Sequence, residues 1–311
     1  DVTVASGDAL IGALGAATSG DVICVDGTAE LDFTTLIEGG DAVELPGGVT
    51  LASDRGREGS LGAVLGSSAV DTPVLIRVTG PGARITGIRL RGPDPDRREE
   101  HWCEAFCADG PMLGSAHYYT IPNSRGIRVE SDRLEVDNCE VAGFSHVGVF
   151  LVAGTGHHIH HSFLHHNQRK GLGYGVTHDG AFSVIERNIF DFNRHSIAGT
   201  GNPDSGYEAR HNVVRGHSIG HNFDMHGGRD RGDGTNIAGS YTRVLNNTFF
   251  EIPGEQLFRA VRIRGIPEES NLIDSNWFAH TGPSAAIGEL GGTVVLDNAY
   301  GMPTPEIVTG L

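Results

Sequence analysis

The stretch from Gly171 to Gly228 begins GLGYGVTHDGAFSVIERNIFDFNRHSIAG and ends GHNFDMHGG, and it contains about two and a half copies of one unit. Each unit has two short runs of β-forming residues, an asparagine at a bend and a polar turn. Aligning the chain on that bend gives one column: Asn138, His161, Asn188, Asn212, Asn247, Asn276 and Asn298. Its intervals are 23, 27, 24, 35, 29 and 22 residues, a period typical of a stacked solenoid.

Apolar residues alternate with polar ones inside each run, as in Ser183 to Glu186 (SVIE) and Val261 to Arg264 (VRIR). This alternation predicts strands with one buried face. A unit of this length holds three short strands and three bends, which is one coil of a right-handed parallel β-helix. Because stacked coils lie ~4.8 Å apart, an asparagine at the same bend of each coil can bond to the next. We therefore interpret the asparagine column as a structural ladder.

The length and charge of the chain restrict its class. A solenoid grows linearly, so the 311 residues are predicted to form a single domain, 1–311. The net charge of −16 argues against nucleic acid as a partner. No apolar run is long enough to span a membrane, so no membrane partner is expected. The sequence starts at Asp1 without an apolar leader, and we expect a secreted protein whose signal peptide has been removed.

Three segments interrupt the regular coil. Residues 1–30 are predicted to cap its first end, with a short helix over Asp8–Ala17. Residues 92–125 and 227–240 are predicted to be inserted loops beside one face. Cys103 and Cys107, in the first insertion, are close enough in sequence for a disulfide, which the sequence leaves open.

The runs that precede the bends define the face on which chemistry is expected. Alternation directs an apolar set inward: Val149, Val176, Ile197, Phe223, Met225, Val261 and Ile263. The outward set begins with small residues, namely Gly173, Gly175, Thr177, Ser196 and Ala198. It continues with charged ones, namely Asp224, His226, Arg262 and Arg264. Small residues followed by charged ones predict a shallow groove with a polar wall, suited to an anionic or polyhydroxylated substrate.

The candidate site residues come from this groove and from turns expected at its margins. The predicted catalytic residues are Tyr174, His178, Arg194, His195, Asp224 and His226. The predicted substrate-binding residues are Arg169, Lys170, Asp179, Arg262 and Arg264. Structural alternatives stay open for two of them, because Tyr174 could be a core aromatic and Asp224 could pair with an arginine of the next coil.

Two reactions suit such a strip. Cleavage of a uronate polysaccharide by β-elimination needs a cation for the carboxylate, a base for the C5 proton and an acid for the leaving oxygen. Arginines, histidines and Tyr174 offer these groups. Hydrolysis or transglycosylation would instead need two carboxylates, for which Asp224 with Asp179 or Asp204 are candidates. No cofactor is required, although Asp230 and Asp233 are weak candidates for binding Ca²⁺.

The repeats, with GYGV and NRHSIAG, resemble the right-handed parallel β-helix proteins of the pectate-lyase-like superfamily. Within it, Tyr174, His178 and Arg194 are similar to the signature of alginate lyases and mannuronan C5-epimerases, although the Asp-Pro before the histidine is absent. The resemblance implies a carbohydrate-active enzyme, and we predict a polysaccharide lyase. A glycosidase of the same fold is the alternative. A β-helix that binds carbohydrate without catalysis is a third interpretation.

Overall fold

The computed structural model describes residues 1–93, 122–169, 171–252 and 257–301. Lys170 and most of the predicted first insertion, including Cys103 and Cys107, lie outside the described residues. The described helices are α1 (Gly7–Ala16), α2 (Thr34–Glu38), α3 (Gly228–Arg231) and α4 (Pro283–Ala286). None of the helices in these ranges is both long and apolar enough to cross a membrane.

The strands are short and follow one another around the coil. The first ten are β1 (Val2–Val4), β2 (Val22–Val25), β3 (Glu30–Asp32), β4 (Val43–Leu45), β5 (Thr50–Ala52), β6 (Val64–Gly66), β7 (Ile76–Val78), β8 (Arg84–Thr86), β9 (Arg89–Arg91) and β10 (Arg125–Val129). The next nine are β11 (Glu135–Asp137), β12 (Glu140–Ala142), β13 (Val147–His160), β14 (Phe163–His165), β15 (Tyr174–Glu186), β16 (Ile189–Asp191), β17 (His195–Gly199), β18 (Gly206–Arg210) and β19 (Val213–Val214). The last nine are β20 (Phe223–Met225), β21 (Tyr241–Leu245), β22 (Thr248–Phe249), β23 (Val261–Ile263), β24 (Asn271–Asp274), β25 (Trp277–Phe278), β26 (Ile287–Gly288), β27 (Thr293–Leu296) and β28 (Ala299–Tyr300).

These strands form three parallel stacks, as the predicted β-helix requires. The first stack, called here the groove face, runs β4, β7, β10, β13, β15, β17, β20, β23 and β26. The second runs β1, β2, β5, β8, β11, β13, β15, β18, β21, β24 and β27. The third is the separate ten-stranded sheet from β3 to β28. The long strands β13 and β15 belong to both of the first two stacks and join them.

The inward face of every stack forms one apolar core. The seven residues predicted to point inward from the groove face are all fully buried. Helix α1 covers the first end of this core, as predicted, with Leu10 and Leu14 buried and the Ser6 hydroxyl accepting a hydrogen bond from the Ala9 amide. The confirmed alternation therefore fixes which side chains reach the surface of the groove face.

The asparagine ladder is present, but two members of the predicted column do not belong to it. Hydrogen bonds of 2.9–3.1 Å link the side-chain amides of consecutive coils, from Asn188 through Asn212, Asn247 and Asn276 to Asn298. In earlier coils the ladder position is filled by Ser162 and Cys139. Asn138 and His161 lie one residue earlier, both with φ of +50°. The alignment was wrong there because asparagine also favours this left-handed position.

Candidate active site

A groove of about 280 Å³ crosses the middle coils of the groove face. Its lining consists of His146, Phe150, Leu172, Tyr174, Thr177, Ala198, Gly199, Thr200, His226, Asp230 and Arg231. The register explains its shape, because Phe150, Thr177, Ala198, Asp224 and Arg262 form one outward column on successive coils. Small side chains in the middle of that column leave a depression between a large aromatic residue and a charged wall.

Tyr174 stands on the first wall within a stack of rings that runs along the β-helix axis. Its ring lies 6.0 Å from His146 and 5.6 Å from His195, and His195 lies 6.0 Å from His221. The Tyr174 hydroxyl donates to the Gly171 carbonyl at 3.3 Å. Of the two interpretations left open by the sequence, the structure supports the groove, because Tyr174 is only half-buried and lines it.

Arg194 lies beside this tyrosine. Its Nη1 atom is 3.4 Å from the Tyr174 hydroxyl and 3.3 Å from the Gly171 carbonyl oxygen. The guanidinium carbon is 5.9 Å from the centre of the tyrosine ring. No carboxylate within the described ranges forms an ion pair with Arg194. Tyr174 and Arg194, both predicted as catalytic residues, therefore lie together, with the guanidinium close to the phenol oxygen.

The second wall is built around Asp224, whose side chain is completely buried. Arg264 binds it in a bidentate fork, with Nε 3.0 Å from Oδ1 and Nη2 2.5 Å from Oδ2. Burial alone would raise the pKa of Asp224, but the hydrogen bond from His226 and nearby positive charge hold that pKa well below its usual range. Asp224 is thus a permanent carboxylate, and the Asp–Arg pairing that was left open is present.

His226 lies between Asp224 and the second insertion. Its Nε2 atom is 3.2 Å from Asp224 Oδ2, and its Nδ1 atom is 3.5 Å from Asp230 Oδ2. The side chain is 28% exposed and lines the groove. A carboxylate faces each ring nitrogen, and the closer one, Asp224, accepts the hydrogen bond from Nε2–H. A neutral ring of this tautomer has its lone pair on Nδ1, on the side of the groove that Asp230 also lines.

Helix α3 and the residues after it place the insertion against the groove. Arg231 anchors it by donating to the carbonyl oxygens of Thr200 at 2.8 Å and Ile237 at 3.1 Å, and to the Asp233 carboxylate at 2.8 Å. Sequence reasoning predicted this insertion beside the face but missed Arg231 and His146 as lining residues. The sequence signal that could have indicated Arg231 is the density of charge in the insertion.

Asp230 and Asp233, the weak Ca²⁺ candidates, face cations. Asp230 is 3.6 Å from Arg264 Nη1, and Asp233 pairs with Arg231. Hydrogen bonds from the Thr235 hydroxyl and amide lower the pKa of Asp233. The described residues hold one group of three close metal-binding side chains, and it lies elsewhere, at Glu135, Asp137 and His160. Both aspartates therefore have structural partners already.

His178 does not reach the groove, and its prediction as a surface base is wrong. It was expected in a turn, but β15 continues through it, so the alternation that buries Val176 also buries His178. Its Nε2 atom is 2.6 Å from the Ser183 hydroxyl, and Nδ1 is 3.2 Å from the Ala198 carbonyl oxygen. Burial lowers its pKa to about 4, so the ring is neutral at pH 7.

His195 is also buried, with 1% of the residue exposed. Its Nδ1 atom donates to the His221 carbonyl oxygen, and Nε2 lies 3.6 Å from Asp224 Oδ2. Burial lowers the pKa of His195 to about 3, although Asp224 acts in the opposite direction. Because it stacks on the Tyr174 ring from the next coil and does not line the groove, His195 supports the site and does not face a substrate.

The predicted binding residues divide into those that already bind partners within the protein and one, Arg262, that remains suited to a substrate. Asp179 accepts hydrogen bonds from Thr200 and Asn202, and Arg169 is buried and donates to the Pro122 carbonyl oxygen at 2.5 Å. Burial lowers the pKa of Arg169 to about 10. Arg262, in contrast, is half-buried beside Gly288 and forms no ion pair within the described part of the chain. Of these residues, Arg262 best suits an incoming anion.

Comparisons with known proteins bear on the fold. No family model matches the sequence, and no curated protein sequence matches it. The structure is similar to an alginate lyase from Paenibacillus sp. str. FPU-7, with a TM-score of 0.61 and 13% identity over 96% of this chain and 94% of that one. It is also similar to a family 28 exopolygalacturonase from Yersinia enterocolitica, with a TM-score of 0.53 and 13% identity over 94% of this chain and 62% of that one.

A third solved structure, the polygalacturonase from Erwinia carotovora ssp. carotovora, has a TM-score of 0.50 and 9% identity over 93% of both chains. Identities this low establish architecture and not reaction, because one fold hosts many activities. The parallel stacks, the confirmed core and these neighbours together show that the chain has the right-handed parallel β-helix fold.

Proposed function

We propose that the protein is a secreted polysaccharide lyase. It cleaves a uronate polymer by β-elimination in the groove that Tyr174 and His226 line. The observation that carries the proposal is the placement of Tyr174 and the Asp224–His226 pair on opposite walls, above a floor of small residues. The alginate lyase named above and the two polygalacturonases provide support at the level of architecture.

His226 takes the C5 proton of the sugar on its Nδ1 atom. The electron pair of the C–H bond forms the C4–C5 double bond, and the bond from C4 to the glycosidic oxygen breaks. Asp224 orients the ring through Nε2 and stabilises the imidazolium that forms, as a buried carboxylate does in catalytic dyads. The Tyr174 hydroxyl returns a proton to the leaving oxygen, so charge and atoms balance.

Arg194 neutralises the uronate carboxylate and Arg262 attracts it to the groove, since both guanidinium groups lack an ion-pair partner among the described residues. Hydrolysis has less support, because it needs two facing carboxylates. Among the described residues that line the groove, Asp230 is the one with a carboxylate, while Asp224 is buried in its pair with Arg264.

A panel of acidic and neutral polysaccharides tests this proposal. The protein is incubated with each, and both the ultraviolet absorbance of unsaturated uronate and the release of reducing ends are followed. A lyase produces both signals together on a uronate polymer. Reducing ends without absorbance would contradict elimination and favour a glycosidase. Binding of a polymer without either signal would favour a non-catalytic module.

A further inference from the structure

Two pairs of adjacent histidines lie at the ends of strand β14, away from the groove. His160 and His161 precede the strand, and His165 and His166 end it. The two Nδ1 atoms are 2.8 Å apart in the first pair and 2.6 Å apart in the second. In both pairs the second residue has a left-handed backbone, with φ of +50° and +54°. The same local geometry therefore occurs twice.

A carboxylate from the preceding coil fixes the first ring of each pair. His160 Nε2 lies 3.2 Å from Glu135 Oε1, and His165 Nε2 lies 2.9 Å from Glu140 Oε1. The carboxylate can only accept, so Nε2 bears the proton and Nδ1 presents a lone pair in the neutral ring. A carboxylate on the far nitrogen is the arrangement that orients histidines bound to metals.

We propose that each histidine pair chelates one Cu²⁺ or Ni²⁺ ion through its two Nδ1 atoms. Metal–nitrogen bonds of about 2.0–2.1 Å to nitrogens this far apart would subtend roughly 80–85° at the metal. This is close to the angle between neighbouring ligands in tetragonal Cu²⁺ and Ni²⁺ sites, and too narrow for tetrahedral Zn²⁺. Water would complete the coordination. In each pair the second histidine moves its proton from Nδ1 to Nε2 as the metal binds, so the replacement of the Nδ1–H···Nδ1 hydrogen bond by two metal–nitrogen bonds needs no other reactant.

The neighbouring group of Glu135, Asp137 and His160 does not serve as this site. Asp137 is occupied by Arg84 in a bidentate fork of 2.8 and 2.9 Å. An ion placed among the carboxylates would have to displace a guanidinium. The Nδ1 side of His160 lies away from that pair and faces His161, which is why the proposal uses it.

The test is a Cu²⁺ titration of the full chain. Binding is measured by calorimetry in the presence of a weak competing chelator, and the ligands are identified by electron paramagnetic resonance. The wild-type protein should bind two Cu²⁺ ions, each with hyperfine splitting from two nitrogens, and should bind Zn²⁺ at least tenfold more weakly. His161→Ala and His166→Ala should each lose one ion, and the double variant should lose both. His211→Ala is the matched control, because His211 is exposed, has φ of +55° and lacks a histidine neighbour; it should retain both ions.

Thermal melting of each variant separates loss of a ligand from loss of the fold, and His161 is exposed, so its removal should leave the melting temperature unchanged. Glu135→Gln should weaken the first site about 10- to 100-fold without removing it. Two tight Cu²⁺ ions retained by the folded double variant would overturn the proposal. Zn²⁺ bound as tightly as Cu²⁺ would also overturn it.

Discussion

The asparagine bend and the groove face belong to the same coils but use the repeat in opposite ways. At the bend, Asn188 through Asn298 repeat one side chain, and each amide bonds to the next coil. On the groove face, the outward column changes at every step, from Phe150 to Arg262. Uniform columns therefore support the stack, whereas a column that changes from coil to coil creates a place for a ligand. Mutations in the two regions should therefore separate stability from activity.

The largest expected effect is on activity. Tyr174→Phe removes the hydroxyl that returns the proton, and we expect the turnover number to fall about 10²- to 10⁴-fold, the usual share of one acid–base group. The melting temperature should stay within experimental error, because the ring stack is retained. Tyr241→Phe on the second stack is the matched control and should keep full activity. Equal losses in both variants would show that Tyr174 has no particular role.

A stability change of about 3 kcal/mol is expected from Asn212→Ala at the bend. The substitution removes the hydrogen bonds of Asn212 to Asn247 and Ile185, and it leaves buried donors of Asn188 without a partner. Chemical denaturation measures the free energy of unfolding. His211→Ala, one residue earlier and exposed, serves as the control and should change it little. An unaltered midpoint for Asn212→Ala would contradict the ladder.

Buried histidines should make the fold sensitive to acid. His178, His146 and His195 have pKa values lowered from 6.5 to about 4, 3 and 3 by burial. Below pH 6.5 the unfolded chain binds protons that the folded chain does not, so the free energy of unfolding falls as the pH falls. His178→Leu, which copies Leu151 of the preceding coil, should reduce the loss between pH 7 and pH 5 by roughly 2 kcal/mol. An unchanged pH profile would contradict the buried neutral ring.

The smallest expected effect concerns substrate affinity. Arg262→Gln should raise the KM for a uronate polymer several-fold with little change in the turnover number, because it removes a charge that attracts the carboxylate. The effect should diminish at high salt. Arg243→Gln, on the second stack, is the control. A loss confined to turnover would instead place Arg262 in the chemical step.

The fold could be predicted from the sequence because one pattern repeats over the chain and every copy supports the others. The site could be predicted only where that pattern continues: Asp224 and His226 follow from the alternation through Phe223 and Met225. His178 was misplaced because His-Asp-Gly resembles a turn, yet β15 runs straight through it. The cover that the second insertion forms over Asp224 depends on tertiary contacts of Arg231 and Arg264, which no local pattern encodes.

The second ladder, formed by Asn167 and Asn193, was also missed. Its amides are 3.0 Å apart at another bend, and two asparagines of the described coils form it, too few for a period to be visible. Columns this short cannot be recognised from sequence periodicity, even when they stabilise the loops beside a site.

A crystal structure of the Tyr174→Phe variant with a uronate oligosaccharide would test most directly whether the groove is the active site. We expect a sugar chain across Thr177 and Ala198, with C5 facing His226 Nδ1, the glycosidic oxygen facing residue 174 and a carboxylate on Arg194 or Arg262. An oligosaccharide bound on another stack, with the groove empty, would contradict this expectation.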